Sequence, residues 1–553
     1  MTKPANLVAP TPSAPAVPAA APRGRQRLIG VDAARGAALL GMICLHALYE
    51  ADAAGNPTWS ALAFSGRAAA AFALLAGVGI AFVSGRRQVT AADRPAVAAA
   101  MATRAVAIGV VGFLVCAADT VLDAVILPYY AVVFLLAIPL LFLRTRTVAV
   151  VGLFLATAGP VAGHFLLPRL PESSLGNPSF ARLVEDPAGM LTELTLTGFY
   201  PSPTWLAYVC AGIVIGRQDL TRPRFAALLL AGGTVVAVWA NAISSLLLHR
   251  FGGLAHIWAA QPGSGLTVEE TKELLAFGGN GNAPSSTWWW LAVNTPHMST
   301  PPDMFGAAGC AVALLGLLLL AGHITHRVLG PLCTVVLVCL ASAGSMTLTL
   351  YSAHILFINS EFDTYSAANG CLVQVVGAVL IGLAVRGTIG RGPIEAGVTA
   401  LATLARRWAA SRSAATAGAP VDRAVVPGQA VPARVPAAPA PRAPVMDALV
   451  PPASAPSPDA AAASDASGPA VPGVPTSGGP PGDAASGGSR SDGAGSGGSA
   501  AGGPSAGGPS AGGAASGGAG QPSGPRRPRG FADVRRRIAR RRSQPSAGQG
   551  SGR

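Results

Sequence analysis

Charge is what this sequence has least of. Only 12% of its 553 residues are charged against 51% hydrophobic ones, and mean hydropathy is +0.47 even with a long polar tail diluting it. Those proportions exclude an ordinary soluble globular protein. Cysteine is sparse too. Cys44, Cys116, Cys210, Cys310, Cys333, Cys339 and Cys371 all lie inside apolar segments without metal-like spacing, so they read as small buried hydrophobes, with no disulfide and no metal. Residues 1–22 are Pro, Ala and Thr with almost no charge, which predicts disorder. They also lack the basic, apolar and cleavage-site order of a removed signal peptide. No internal repeat relates 25–210 to 225–400.

What is present is apolar sequence in blocks of about twenty, the length that crosses a bilayer. Ten spans are predicted, near 28–48, 62–84, 102–118, 124–143, 147–167, 200–216, 225–248, 304–322, 332–358 and 371–387. Loop charges test the count independently. Connections on the N-terminal side carry Arg86, Arg87, Arg94 and Arg104, then Arg144 and Arg146, then Arg217, Arg222 and Arg224, then Arg327, then Arg386 and Arg391. The opposite connections carry Glu50 and Asp52, Asp119 and Asp123, Glu172, Glu185 and Asp186 with Arg169 and Arg182, then Glu269, Glu270, Lys272 and Glu273, and Glu361 and Asp363. Positive charge alternates with every crossing, so the positive-inside rule puts both termini in the cytoplasm of a multi-pass cell-membrane protein. The net charge of +14 is then loop arginine plus a basic C-terminal run, which removes the reason to invoke nucleic acid.

The expected fold is all-α, a polytopic transmembrane bundle flanked by disordered ends. Residues 1–24 form the cytoplasmic N-terminus, 25–400 the membrane domain and 401–553 a Pro/Ala/Gly/Ser-rich tail that cannot bury a core. The tail ends in a basic segment, 525–542, where Phe531, Val534 and Ile538 recur at helical spacing; it reads as a helix on anionic lipid or as a solvated tail, with nucleic acid a distant third reading. Two outer connections are long, 168–199 and 249–303. Trp288, Trp289 and Trp290 in the second suit an interfacial belt or a lid.

The first span holds the costliest residues. Arg35 and His46 stand eleven residues apart in RGAALLGMICLH. At 100° per residue they share a face to within about 20° and are separated by roughly 16 Å along the axis. An arginine near mid-membrane costs roughly 3 kcal/mol on the lenient scale. Asp32, one turn earlier, can pair with it. Further polar groups recur at the outer ends of other spans. They are Arg67, Tyr129 and Tyr130, then Tyr200, Ser202, Thr204 and Trp205, then His297 and Asp303, and the i, i+4, i+7 set Thr347, Tyr351 and His354. Such a cluster suits an outward-opening site. Gly36, Gly41, Gly66, Gly77 and Gly79 permit close helix packing around it. An imidazole at the membrane surface suits general-base or nucleophilic acyl transfer, and a deeper arginine suits a phosphate or carboxylate.

RLIGVDAARGAALLGMICLH (27–46) followed by SGRAAAAFALLAGVGIAF (65–82) resembles the opening of the heparan-alpha-glucosaminide N-acetyltransferase-like membrane proteins and the related YeiB-like family. TGFYPSPTWLAYVCAGIVIGRQDL (197–220), AGSMTLTLYSAHILF (343–357) and RGPIE (391–395) extend the resemblance over about 25–400. The Arg35-to-His46 spacing is also similar to the Arg–His pair of the wider membrane acyltransferase superfamily. The heparan-type enzymes carry their catalytic histidine in the loop after the first span, whereas residues 47–61 here hold none and His46 stands at the helix end.

The resemblance implies an acyltransferase that takes an acyl group, acetyl included, from cytoplasmic acyl-CoA to a hydroxyl or amine acceptor at the outer face. His46 and His354 are the catalytic candidates, Arg35 and Arg67 the acyl-CoA-binding ones, and Tyr130, Tyr351 and His297 the substrate-binding ones. Acyl-CoA is the co-substrate and no metal is called for. The partners are membrane lipids and a small-molecule or glycan acceptor, and a homo-oligomer is left open. Two other functions fit the same residues: a transporter or exporter of an anionic lipid or metabolite, and a non-catalytic membrane anchor.

Overall fold

The computed structural model describes residues 28–417 apart from 120, 121, 123, 172 and 175. The N-terminal segment 1–24, Asp123, Glu172 and the tail beyond 417, with its basic segment 525–542, lie outside the described residues. The rest is helical; no β-strand occurs among the described residues, and a single isolated bridge joins Ala51 to Pro57.

The helices follow in order. The first five are α1 (Ile29–Ala47), α2 (Trp59–Phe64), α3 (Arg67–Val83), α4 (Arg94–Ala118) and α5 (Leu127–Ala137). Then come α6 (Thr145–Leu166), α7 (Phe180–Glu185), α8 (Pro187–Thr192), α9 (Ser202–Gly216) and α10 (Pro223–Ser245). The remainder are α11 (Gly253–Ala260), α12 (Val268–Phe277), α13 (Pro301–Ala321), α14 (Leu329–Gly344), α15 (Thr347–Ile358), α16 (Ala367–Thr388) and α17 (Pro393–Ala417).

By length and composition, seven stretches can cross a membrane: Ile29–Ala47, Trp59–Val83, Ala91–Ala118, Thr145–Arg169, Pro223–Arg250, Pro301–Ala321 and Ala367–Thr388. α14 and α15 make an eighth, but as a pair bent by 73°. Leu127–Phe142 and Ser202–Gly216 are shorter apolar helices. All ten expected spans fall on these elements. Three of them change character: the fourth (124–143) and sixth (200–216) fall on helices too short to count as crossing by themselves, and the ninth (332–358) is a bent pair, so seven or up to eight of the ten qualify among the described residues. Lipid-facing surfaces are apolar, with Val150 and Phe154 on α6, Leu228 and Trp239 on α10, and Leu372 and Leu380 on α16 all exposed.

Small residues set the closest helix approaches, because dispersion and packing must replace the hydrophobic drive inside lipid. A β-carbon on Gly36 would overlap the Leu340 carbonyl, and one on Gly344 the Asp32 carbonyl, so α1 and α14 meet backbone to backbone. Gly77 and Gly212 do the same for α3 and α9, against the carbonyls of Val209 and Leu74. One apolar core gathers α1, α3, α4, α5, α9 and α15 around Leu39, Met101, Tyr130, Ile213 and Ile355. A second joins α1, α3, α13 and α14 around Ala34, Leu74, Leu315 and Ala341.

The break between α14 and α15 has a visible cause. Met346 caps α15 with no side-chain bond of its own. Glu395 of α17 supplies the missing cap: its Oε1 accepts from the Leu348 and Thr349 amides at 2.7 and 3.0 Å, and its Oε2 from the Thr349 hydroxyl at 2.5 Å. A carboxylate there also faces the positive end of the helix dipole. The RGPIE motif therefore has a structural job, holding the start of α15.

Two segments differ from expectation. α17 carries helix well into the segment assigned to the tail, packing on α4 with Val398, Ala402 and Ala409 buried. Its sequence, PIEAGVTALATLARRWAAS, is rich in Ala, Leu and Arg, which favour helix. The three tryptophans are not one belt. Trp290 is buried among Ile257, Val293 and Met298 and donates to Ser286, Trp289 stacks on His256, and only Trp288 is exposed, against His164.

Candidate active site

α1 delivers two groups along one face. Arg35 Nη1 donates to Asp32 at 3.1 Å, the ion pair the spacing predicts, and Nη2 lies 3.4 Å from the Leu75 carbonyl of α3. A β-carbon at Gly79 would come within 2.8 Å of that same Nη2, so the glycine makes room for the guanidinium. The burial cost of Arg35 is thus offset by a carboxylate, a carbonyl and an open cavity beside it.

That cavity has a volume of about 520 Å³, within the range of small-molecule sites. Arg35, Arg104 and Arg391 line it together with Glu395, and the Phe72, Ile80, Met101 and Phe134 side chains give it an apolar wall. Met42, Tyr130 and Tyr351 also line it. Met42 lies seven residues beyond Arg35, roughly 10 Å further along α1. The cavity therefore has a cationic region and an apolar extension. Sequence reasoning counted Arg104 as a loop charge; it lies mid-helix in α4, as its distance from the Arg94–Pro95 helix start could have indicated.

One helical turn past Met42 and Tyr351 the two histidines meet. His46 Nδ1 is 2.9 Å from His354 Nε2, with the two rings edge to edge and nearly coplanar, centroids 5.2 Å apart and planes at 9°. His354 is buried and its Nδ1 is 2.5 Å from Gln374 Oε1 on α16. Side chains from α1, α15 and α16 thus form one chain of contacts. Beside it the Cys44 and Cys371 sulfurs stand 3.2 Å apart, joining the same α1 and α16. The histidines were both legible as candidates; Gln374 was missed, although a glutamine in the apolar run LVQVVGAVL is the kind of intramembrane polar residue that marks a site.

The remaining candidates belong to a second cluster. Thr300 caps α13 by accepting from the Asp303 amide, and the Asp303 carboxylate reaches back to the Met298 and Ser299 amides at 3.2 and 3.1 Å. That clamp holds His297 and Ser299 in the left-handed region, at φ 58° and 51°, which costs non-glycine residues energy. The His297 ring is near-parallel to Trp205, with centroids 6.4 Å apart, and edge-on to Tyr200. Arg67 lies within electrostatic range of Asp303 and donates to the Leu62 carbonyl, and it does not line the large cavity. Gly66, Thr204, Trp205, Tyr208, His297 and Asp303 enclose a space of only about 10 Å³, room for one water at most. The two regions share an aromatic wall, since Tyr130 on the cavity meets Trp205 edge to face at 6.2 Å.

The structure therefore brings together His46 and His354, sets Tyr130, Tyr351 and Arg35 around the adjoining cavity, and places Arg67 and His297 in the neighbouring cluster. In sequence, residues 27–247 match the family model Heparan-alpha-glucosaminide N-acetyltransferase, catalytic. That match includes Arg35, His46, Arg67, Arg104 and Tyr130 and ends before His297, Tyr351, His354 and Gln374. No curated protein matches the chain.

Proposed function

We propose, for a chain that is heparan-alpha-glucosaminide N-acetyltransferase-like in family, that the histidine pair and the arginine-lined cavity catalyse transfer of an acyl group from acyl-CoA to a hydroxyl or amine acceptor. The observation that carries this reading is the contiguity of the two parts: cationic groups at one end of a cavity, and paired imidazoles one turn past its other lining residues. Acyl-CoA has a matching shape, anionic at one end and a thioester at the other. Arg35, Arg104 and Arg391 would hold the phosphates, with guanidinium forks suited to that geometry. The apolar wall would hold the pantetheine arm.

His46 takes the proton of the acceptor as its oxygen or nitrogen attacks the thioester carbonyl. The new acyl–acceptor bond forms as the carbon–sulfur bond breaks, and the proton goes to the departing CoA sulfur. His354, bonded to His46, disperses the charge that builds on it. Loop charges support a cell-membrane orientation with both termini cytoplasmic, so that the donor enters at the arginine end and the acceptor, a glycan among the candidates, meets His46 at the outer face.

The test is acyl-CoA consumption by purified protein. His46→Ala should abolish it, and unchanged turnover would remove His46 from catalysis. A thermal-shift series with CoA, acetyl-CoA and longer acyl-CoAs should show stabilisation by each species the cavity accepts.

One observation favours a second reading. The 73° break between α14 and α15 lies beside the arginines of the cavity, and discontinuous spans line binding sites in transporters, although here the start of α15 is already occupied by the Glu395 carboxylate. Counterflow of an anionic lipid or metabolite in liposomes without acyl-CoA would establish that function instead.

A further inference from the structure

We infer that the outward face of α17 is a lipid-binding surface, seating Leu401, Leu404 and Trp408 in the membrane and its flanking arginines on anionic phospholipid headgroups. This holds whichever reaction the cavity carries. One face of α17 is already taken, since Val398, Ala402 and Ala409 are buried and the helix packs along α4, one of the membrane-crossing stretches. Another face stays open. Leu401, Leu404 and Trp408 are 51%, 60% and 58% exposed. At 100° per residue the three fall within about 60° of one another and make a single apolar row. Arg407 and Arg412 stand on either side of that row, and the Arg412 guanidinium lies over the Trp408 ring at 4.1 Å.

The sign of the charge is uniform. The acid of this helix, Glu395, is turned inward onto α15, so the surface from Arg406 onward is purely cationic. Arg406 and Arg407 form no ion pair among the described residues. A row of leucine and tryptophan is unfavourable in water, and exposed guanidiniums are unfavourable among acyl chains. The edge of a leaflet satisfies both, with leucine in the acyl layer, indole at the interface and arginine on phosphate. The leaflet is the one on the side of the loop arginines, because α17 follows Arg386 and Arg391 at the end of α16. Net negative headgroups gain about 5-fold in attraction for each arginine near the surface. A second copy of the chain fits less well: a two-fold contact through this row would bring one cationic rim against another.

Two experiments on the full-length protein test the surface. The first places a fluorescent amino acid at Leu404 or at Ala410, which is exposed on nearly the opposite side of the helix, and reconstitutes each protein in liposomes. Lipids brominated on their acyl chains should quench the probe at 404 and spare the one at 410, and aqueous iodide should do the reverse. Iodide quenching at 404 equal to that at 410 would put the row in water and overturn the inference. A probe at 404 shielded from both quenchers, in a protein that sediments as a dimer, would give the face to a second copy and overturn it equally.

The second reads the headgroup. Photoactivatable phosphatidylglycerol or its phosphatidylcholine counterpart, dilute in phosphatidylcholine liposomes, is crosslinked and the labelled peptides are mapped by mass spectrometry. Peptides of α17 should take the phosphatidylglycerol probe in preference. Arg407→Gln and Arg412→Gln should each lower that labelling by ~5-fold and leave the phosphatidylcholine labelling unchanged. Lysine at both positions, which keeps the charge, should retain most of it. Both arginines are exposed, so neither substitution disturbs the packing on α4. Equal labelling by the two lipids in the wild type, or phosphatidylglycerol labelling that survives both glutamine substitutions together, would overturn the assignment of anionic lipid.

Discussion

Replacing Glu395 by alanine should loosen the membrane domain at one identifiable point, the start of α15. The side chain is the partner of two backbone amides, Leu348 and Thr349, and of the Thr349 hydroxyl, and Met346 has no side-chain bond to offer in its place. Each amide left unpaired in a largely apolar surround costs ~1–3 kcal/mol. Losing a carboxylate at a helix N-terminus adds ~0.3–1 kcal/mol. With partial rescue by water from the cavity, the sum is about 2–5 kcal/mol. For a domain of this size that amounts to a fall on the order of 2–6 °C in unfolding midpoint. Retention of the monodisperse peak after graded heating, followed by size exclusion in detergent without ligand, reads it. Glu395→Gln keeps one acceptor oxygen and should fall about halfway. Thr349→Val loses both the bond to Glu395 and the one its hydroxyl accepts from the Ile394 amide at 3.2 Å, so it should cost ~1–3 kcal/mol and, in the double variant, add only the Ile394 part to Glu395→Ala. A Glu395→Ala protein whose midpoint lies within about 1 °C of wild type would refute the capping argument.

Other consequences can be checked separately. Cys44 and Cys371, with sulfurs 3.2 Å apart, need only about 1.2 Å of approach to reach bonding distance, so copper-phenanthroline oxidation should remove two of the seven thiols from a maleimide count in denaturant. No loss in the wild type would contradict the α1–α16 register. Gly344→Val would drive a side chain into the Asp32 carbonyl; overpacking of this kind costs ~1–3 kcal/mol or more, and poor yield of folded protein is expected, while normal yield and midpoint would deny the backbone contact. Arg391→Ala, at the exposed rim of the cavity, should raise KM for acyl-CoA with kcat nearly unchanged, and an unaltered KM would take it out of donor binding. In the turn after α1, bonds from the Asn56 and Ala54 amides hold the Asp52 carboxyl below the usual carboxylate range. A depressed folded value stabilises above the unfolded one, about 3.9, and the benefit is lost as pH falls through the folded value. Exchange of the Asn56 amide, corrected for its intrinsic rate, should therefore stay slow at pH 6 and accelerate only in strong acid; fast exchange at pH 6 would exclude the turn.

Much of the architecture was legible because its signals are local. A block of apolar residues long enough to span lipid announces a helix without reference to anything else, and all ten expected spans coincide with apolar helices. Arg35 and Asp32 pair as their spacing requires. The break within 332–358 left only a weak local trace, the Gly344–Ser345 pair in a stretch without proline, and the group that stabilises it, Glu395, comes from another helix. For the site, residue types pointed to His46, His354, Tyr130 and Tyr351, but not to which of them touch. The contact between His46 and His354 spans 308 residues, and nothing in either local sequence encodes it. A common outer depth put Arg67 and His297 with the histidines; depth along the membrane normal carries no information about position within its plane, and these two fall in the Asp303 cluster.

The histidine pair also has a place in time. Its parts come from the first membrane helix and from two of the last, with Gln374 on the final long apolar span. A chain emerging from the ribosome inserts its N-terminal helices first. His46 therefore waits in the bilayer, without His354, through the synthesis of every intervening span. The contact between His46, His354 and Gln374 closes only when α16, the last of the long apolar helices among the described residues, arrives. On the acyl-transfer reading, a nascent or truncated chain carries the arginine of α1 but no histidine pair, and should not turn over substrate until α15 and α16 are in place.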